Sequence, residues 1–94
     1  MALRFTWDPR KAAANERRHG VSFHEATTVF DDSLSVTIHD PDHSLDEERH
    51  LLVGMSKDQR LLVVAHAEQG DTVRLISARR ANRRERQAYE EEEG

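Results

Sequence analysis

The spacing of apolar and polar positions changes period at residue 34, and the change divides the chain into a helical part and a strand-rich part. Leu3 to Thr6 form a short strand candidate, and a helix start follows at once. Asp8 can cap it, and Pro9 falls in the first turn, where its missing N–H costs nothing. This helix is predicted to run to about His19. Gly20 supplies a left-handed stop, with Arg17, Arg18 and His19 well placed against the helix dipole. Ser22 and Glu25 then have capping-box spacing, and Phe23, Ala26, Thr27 and Phe30 recur at helical intervals, so a second helix is expected after a tight turn.

From Leu34 the period is two. Leu34, Val36 and Ile38 alternate with Ser35, Thr37 and His39, and Asp40-Pro41-Asp42 ends the strand. Further strands are expected at about 48–55, 60–68 and 72–78, separated by the turn-like Ser56-Lys57-Asp58 and Gln69-Gly70-Asp71. Short connections favour an antiparallel meander. Leu61 to Ala65 is apolar on both faces, which suits a central strand covered by helices. Asn82 and Glu85 repeat the capping-box spacing and predict a last helix over roughly 83–92. The expected fold is therefore α+β: a short N-terminal strand, two helices, a twisted antiparallel sheet of about four strands and a C-terminal helix. Residues 1–94 read as one domain, with a flexible acidic tail at 90–94.

Composition narrows the function classes. With 34% charged and 36% hydrophobic residues the core must be thin, and without cysteine neither a disulfide framework nor a thiolate metal site can form. The longest apolar run is far short of the ~20 residues of a membrane span, and no signal segment is visible, so a cytoplasmic protein without membrane contact is expected. The net charge of −4 hides an uneven distribution. Asp40, Asp42, Asp46, Glu47, Glu48 and the run Glu90 to Glu93 hold much of the acid, whereas Arg74, Arg79, Arg80, Arg83, Arg84 and Arg86 crowd one strand-to-helix passage. Arginine's planar fork of donors grips phosphate bidentately, so the cluster points to nucleic acid.

The chain resembles the BrnT toxins, a branch of the RelE/ParE-like ribonucleases of bacterial type II toxin–antitoxin systems. The likeness rests on Trp7-Asp8 with Lys11 and Asn15, on His19-Gly20-Val21 followed by Phe23, and on Ala26 with Val29-Phe30. It continues through His66, Glu68, Gly70-Asp71, Arg74, Ile76-Ser77-Ala78-Arg79, Ala81, Glu85-Arg86 and Tyr89. Departures include Arg18 where lysine is commoner, Ala67 and Gln69 where threonine and arginine often sit, and Asn82 in place of a threonine. Asn82 can cap equally well; Gln69 thins the positive surface. The resemblance implies a RelE-like fold and an endoribonuclease that uses no metal or other cofactor. It further implies growth inhibition through translation, neutralisation by a BrnA-type antitoxin with two toxins on an antitoxin dimer, and promoter DNA bound only through that antitoxin.

Metal-free RNA cleavage needs a base for the ribose 2′-hydroxyl, cations for the phosphate and an acid for the departing 5′-oxygen. Arg74 and Arg79 suit the phosphate, His66 or Glu68 could be the base, and Tyr89 or a second histidine could donate a proton or stack on a nucleobase. Arg80, Arg83, Arg86 and Lys11 would extend the RNA-binding surface. Each has a plainer role. Arg83, Arg84 and Arg86 can pair within their own helix, Arg79 can dock that helix to the sheet, and Arg74 can join an edge-strand ion pair. His66 can be a core-edge histidine bonded to backbone, and Tyr89 can simply pack its ring.

Strict alternation would send Arg74 and Arg79 to opposite faces of the sheet, so the strand must end or bulge near Ser77 or Ala78 for both to converge. His39-Asp-Pro-Asp-His43 offers metal-binding residue types, but Pro41 fixes its direction and no second ligand pair supports it, so no metal site is expected. The rival to an enzyme is a basic binding module that grips a partner's acidic segment or a DNA backbone.

Overall fold

The computed structural model describes residues 3–39 and 49–93. The acidic residues at 40–48, with His43, lie outside the described residues, as does the side chain of His39. In chain order the elements are β1 (Arg4–Thr6), α1 (Pro9–His19), α2 (Phe23–Thr28), a 3-10 turn (Val29–Asp31), β2 (Val36–His39), β3 (Arg49–Met55), β4 (Leu61–Gln69), β5 (Thr72–Arg80) and α3 (Arg83–Glu93).

Strands β2 to β5 form the expected antiparallel meander, with β4 in the middle of a sheet ordered β1-β5-β4-β3-β2. The sheet has five strands rather than about four, and it is mixed. β1 lies parallel to β5, pairing Arg4, Phe5 and Thr6 with Thr72, Val73 and Arg74. A parallel neighbour requires a long return path. The chain supplies it by passing through both N-terminal helices and three antiparallel strands before β5 meets β1.

The sheet separates two apolar layers. On one face Val21, Phe23, Ala26 and Val29 of the helical segment pack on Leu52, Leu62, Val64, Val73, Leu75 and Ala78. On the other, Tyr89 of α3 joins Val53, Leu61 and Val63. Strand β4 thus contributes Leu62 and Val64 to one layer and Leu61 and Val63 to the other.

The capping signals resolve unequally. Asp8 accepts the Arg10 backbone N–H at 2.8 Å, and Gly20 takes the left-handed conformation at φ 70°. Asn82 and Glu85 form a complete reciprocal box: each side chain accepts the other's backbone N–H, at 2.9 and 2.8 Å. Ser22 and Glu25 form half of one. Ser22 Oγ accepts the Glu25 N–H at 3.0 Å, but the Glu25 carboxylate turns away to Ser56 Oγ at 2.7 Å and to the Arg60 guanidinium. A buried carboxylate gains more from a charged fork than from one amide. Arg60 also donates to the Gly20 carbonyl oxygen at 3.1 Å, so this pair pins the α1–α2 corner to the β3–β4 turn.

Asp32 moves the start of β2. Its carboxylate accepts the Leu34 N–H at 2.9 Å, and the Ser35 N–H bonds to its carbonyl at 3.0 Å, so the expected first strand residues form a turn and Leu34 is exposed. The same carboxylate accepts from the Met55 N–H and the Tyr89 hydroxyl, both at 2.8 Å. Gly54 makes this junction possible, because a Cβ there would stand 2.8 Å from Val29 and 2.9 Å from Ser35.

Asn15 holds α1 to the sheet. β1 reaches only as far as Arg74, so beyond it, among the described residues, no strand flanks β5 on that side. Asn15, 7% exposed, takes the vacant place: its Nδ2 donates to the carbonyl oxygens of Ala78 at 2.8 Å and Val21 at 3.0 Å, while its Oδ1 accepts the Ala78 N–H at 3.1 Å. Asn15→Ala orphans all three backbone groups, and a loss of about 3 kcal/mol in urea unfolding is expected. A loss below about 0.5 kcal/mol would show that water replaces the amide.

Candidate functional site

Strand β5 carries one residue more than its partner strand needs. Ala65 pairs with Ser77 and His66 with Leu75, leaving Ile76 as the extra residue of a bulge. Val73, Leu75 and Ala78 therefore all reach the helix-covered layer despite their uneven spacing, and the residues between them face the other way. Arg74 and Arg79 consequently share the α3 face, as the sequence required of a bulged strand. They stand opposite Ala67 and Val63 of β4, with Ser77 opposite Ala65 between them.

Arg49 extends the basic row. It pairs with Ala67 from β3 as Arg74 does from β5, so the two arginines flank a single alanine across about 10 Å of sheet. Nothing in the spacing of Arg49 singled it out in the sequence; the register of two hairpins places it. Along β5, Arg74 and Arg79 lie about 14 Å apart, so they bracket Ser77 rather than meet. This geometry fits a run of phosphates better than a single ion.

Arg79 is half committed. Its guanidinium forks onto Glu85 at 2.8 and 2.7 Å, and Glu85 in turn completes the α3 cap. The adjacent guanidinium outweighs burial and holds the Glu85 carboxyl below its ordinary value, while Glu85 raises Arg79. The helix-docking role is thus present, on a side chain that remains 39% exposed. Tyr89 is 5% exposed, with its ring in the α3 layer and its hydroxyl on Asp32. Burial pushes the Asp32 carboxyl up, but the Met55 and Leu34 amides and the Tyr89 hydroxyl outweigh it and bring it below its ordinary value. Tyr89 therefore works as a strut between α3 and the start of β2.

His66 and Glu68 lie on the opposite face. His66 shares its layer with Leu62 and Val64, its ring meets Phe30 edge-on at 5.0 Å, and Nδ1 stands 3.4 Å from the Val64 carbonyl oxygen. Nε2 is 3.5 Å from the exposed Glu68 carboxylate, and the His50 ring lies 5.6 Å away. Burial lowers the His66 pKa against the help of Val64 and Glu68, so the imidazole is neutral at pH 7. The set expected from the sequence is thereby split: Arg74, Arg79 and Tyr89 on one side of the sheet, His66 and Glu68 on the other. His50, which the sequence did not single out, belongs with the second group.

The remaining cations disperse. Arg83 and Arg86 are exposed on α3, and Arg80 is exposed at the end of β5. Lys11 lies on α1, in a groove with Arg18 and His19 that meets Ile76 and Ser77 of the bulge. Among the described residues, no group of three or more His, Asp or Glu side chains could hold a metal ion. No helix among them is long and apolar enough to cross a membrane.

A family model described as the ribonuclease toxin BrnT of type II toxin–antitoxin systems matches residues 7–85. Among solved structures, the chain is similar to the ribonuclease toxin BrnT of Brucella abortus, known from a 1.1 Å crystal structure. The TM-score is 0.67 at 18% identity, over 87% of this chain and 100% of that one. At that identity the likeness is one of fold. No curated protein matches.

The Glu85 contacts carry a pH dependence. Its folded-state pKa is depressed, chiefly by Arg79, so its contribution to stability is complete above the unfolded value of about 4.3 and is lost as pH falls through the folded value. Glu85→Gln keeps an acceptor for the Asn82 N–H and removes only the charge, so it is expected to lower stability at pH 7 by about 1 kcal/mol or less through the Arg79 fork, whose exposed side solvent screens. The difference from wild type should shrink below about pH 4. A difference that stays constant on further acidification would remove the ionic contribution.

Proposed function

The chain belongs to the BrnT family of ribonuclease toxins of type II toxin–antitoxin systems, and from that premise we propose that it cleaves RNA without a metal ion on the arginine face of its sheet. The observation that carries this reading is the β5 bulge, which sets Arg74 and Arg79 on one face around Ser77. An RNA backbone laid along this face meets guanidinium groups spaced to reach different phosphates of one strand. As the 2′-oxygen attacks phosphorus and the bond to the 5′-oxygen breaks, negative charge grows on the non-bridging oxygens. Donors already in place stabilise that charge without reorganisation.

Proton transfer distinguishes this reading from a histidine mechanism. The neutral His66 and its Glu68 neighbour lie across the sheet from the arginines, and the Tyr89 hydroxyl is held by Asp32. Arginine remains protonated and is a poor shuttle. Catalysis here rests on electrostatic stabilisation, with solvent carrying the protons, and turnover is correspondingly slow.

A family of toxins from type II systems implies an antitoxin partner. We take this to be a BrnA-type protein that covers the basic face, carrying two toxins on its dimer and contacting promoter DNA itself. Cleavage of messages in the cytoplasm would then inhibit translation and growth until the antitoxin binds.

Purified protein is expected to cut single-stranded RNA in the presence of EDTA, and induction without the partner should arrest growth. Arg74→Gln should reduce cleavage about 100-fold while leaving the fold intact by circular dichroism. Activity abolished by EDTA and restored by Mg²⁺ would refute the metal-free mechanism. A Glu68→Gln loss as large as that of Arg74→Gln would move the site to the histidine face, and RNA binding without cleavage would favour the binding-module alternative.

A further inference from the structure

The groove between α1 and the edge of β5 gathers cationic side chains. Lys11 and Arg18 are seven residues apart, which places them on one side of α1 about 10 Å from each other along its axis. His19 lies beside Arg18, and Ile76 and Ser77 of the bulge form the opposite wall. Among the described residues no carboxylate lines the groove. Asn15, the remaining polar group of the wall, turns its amide onto the Ala78 and Val21 backbone.

We propose that this groove is a second phosphate-binding subsite, which takes the RNA backbone beyond the segment held on the arginine face. The inference rests on the ribonuclease reading and deepens it by giving the substrate a path. Three observations support it. The groove opens where β1 ends, so among the described residues no strand separates it from the arginine face along β5. Ser77 is common to both places: it pairs with Ala65 between Arg74 and Arg79, and it lines the groove. Lastly, Lys11 and Arg18 are spaced to contact different phosphates of one strand from the solvent side of the helix. A polynucleotide crossing the edge of β5 at the bulge would thus pass from Arg74 and Arg79 to Arg18 and Lys11 without leaving positive surface.

Arg17, Arg18 and His19 also complement the negative end of the α1 dipole, and Arg18 needs no ligand to be favourable there. Lys11 is a different matter. It lies in the first turn of α1, next to the positive end of the dipole, where a cation is disfavoured. A phosphate bound in the groove would offset that cost.

The test measures binding of a 2′-O-methyl oligoribonucleotide of about twelve nucleotides, which cannot be cut, across a range of salt concentrations. For single-stranded nucleic acid, every phosphate neutralised by the protein adds about 0.7 to the steepness of the logarithmic salt dependence. The double variant Lys11→Gln/Arg18→Gln should therefore bind with a slope shallower by about 1.4 than wild type. The control, Arg10→Gln/Arg17→Gln, removes the same charge from residues of α1 outside the groove and should leave the slope as in wild type. Equal slopes for the groove variant and wild type would overturn the proposal, as would an equal reduction in the control, which would mean diffuse attraction only. A groove variant that no longer binds the antitoxin while its RNA slope is unchanged would also overturn it and assign the groove to the protein partner. Because the probe is uncleavable, a wild type that binds with the expected slope yet fails to cut RNA would refute the nuclease reading and leave the groove standing.

Discussion

One extra residue in β5 sets the geometry of both faces of the sheet. Without the bulge at Ile76, a strand that buries Val73 and Leu75 in the helix-covered layer would send Ala78 to the opposite side and turn Arg79 inward. With it, three small or apolar side chains fill the core, and the arginines on either side of Ser77 face the same way. The irregularity also breaks the edge of β5 just where α1 crosses it. Core packing, the arginine row and the α1 groove therefore depend on the same departure from a regular ladder.

The elements around the sheet are fixed by a few polar contacts that each join distant parts of the chain. Glu25 and Arg60 join the helical corner to a hairpin turn; Asp32 gathers Leu34, Met55 and Tyr89; Asn15 ties α1 to β5. A thin core makes such ties disproportionately important, since apolar burial alone leaves a domain of this size with little stability in reserve. Among the described residues no buried side-chain nitrogen or oxygen lacks a partner. The same economy applies to Arg79, whose contact with Glu85 anchors α3 at the border of the proposed RNA surface.

Local signals in the sequence located most of the elements. Asp8-Pro9, Gly20, and Asn82 with Glu85 place helix ends because caps are made by residues close in sequence, and the apolar run at Leu61 to Ala65 marks β4 as central because both its faces are covered. The signals gave out where a distant partner decides. Glu25 has the spacing of a box yet turns to Arg60, far along the chain; Leu34 continues the strand pattern yet is drawn into a turn by Asp32. The need for a bulge could be stated from the arginine spacing, but its position follows from pairing with β4. His66 and Glu68 fall on the far side for the same reason: register across a hairpin is a tertiary property, and no count along the chain reveals it.

Asn15 also bears on how the protein behaves among its own copies. A strand edge with unpaired N–H and C=O groups is a template on which another chain can add a strand, the usual first step toward fibrils and swapped oligomers. Beyond β1, the edge of β5 would be such a template. The Asn15 amide occupies both backbone groups of Ala78, and the bulge disrupts the ladder two residues earlier, so an incoming strand finds no regular run of partners. A side chain that secures a helix thereby also guards a sheet edge against aggregation.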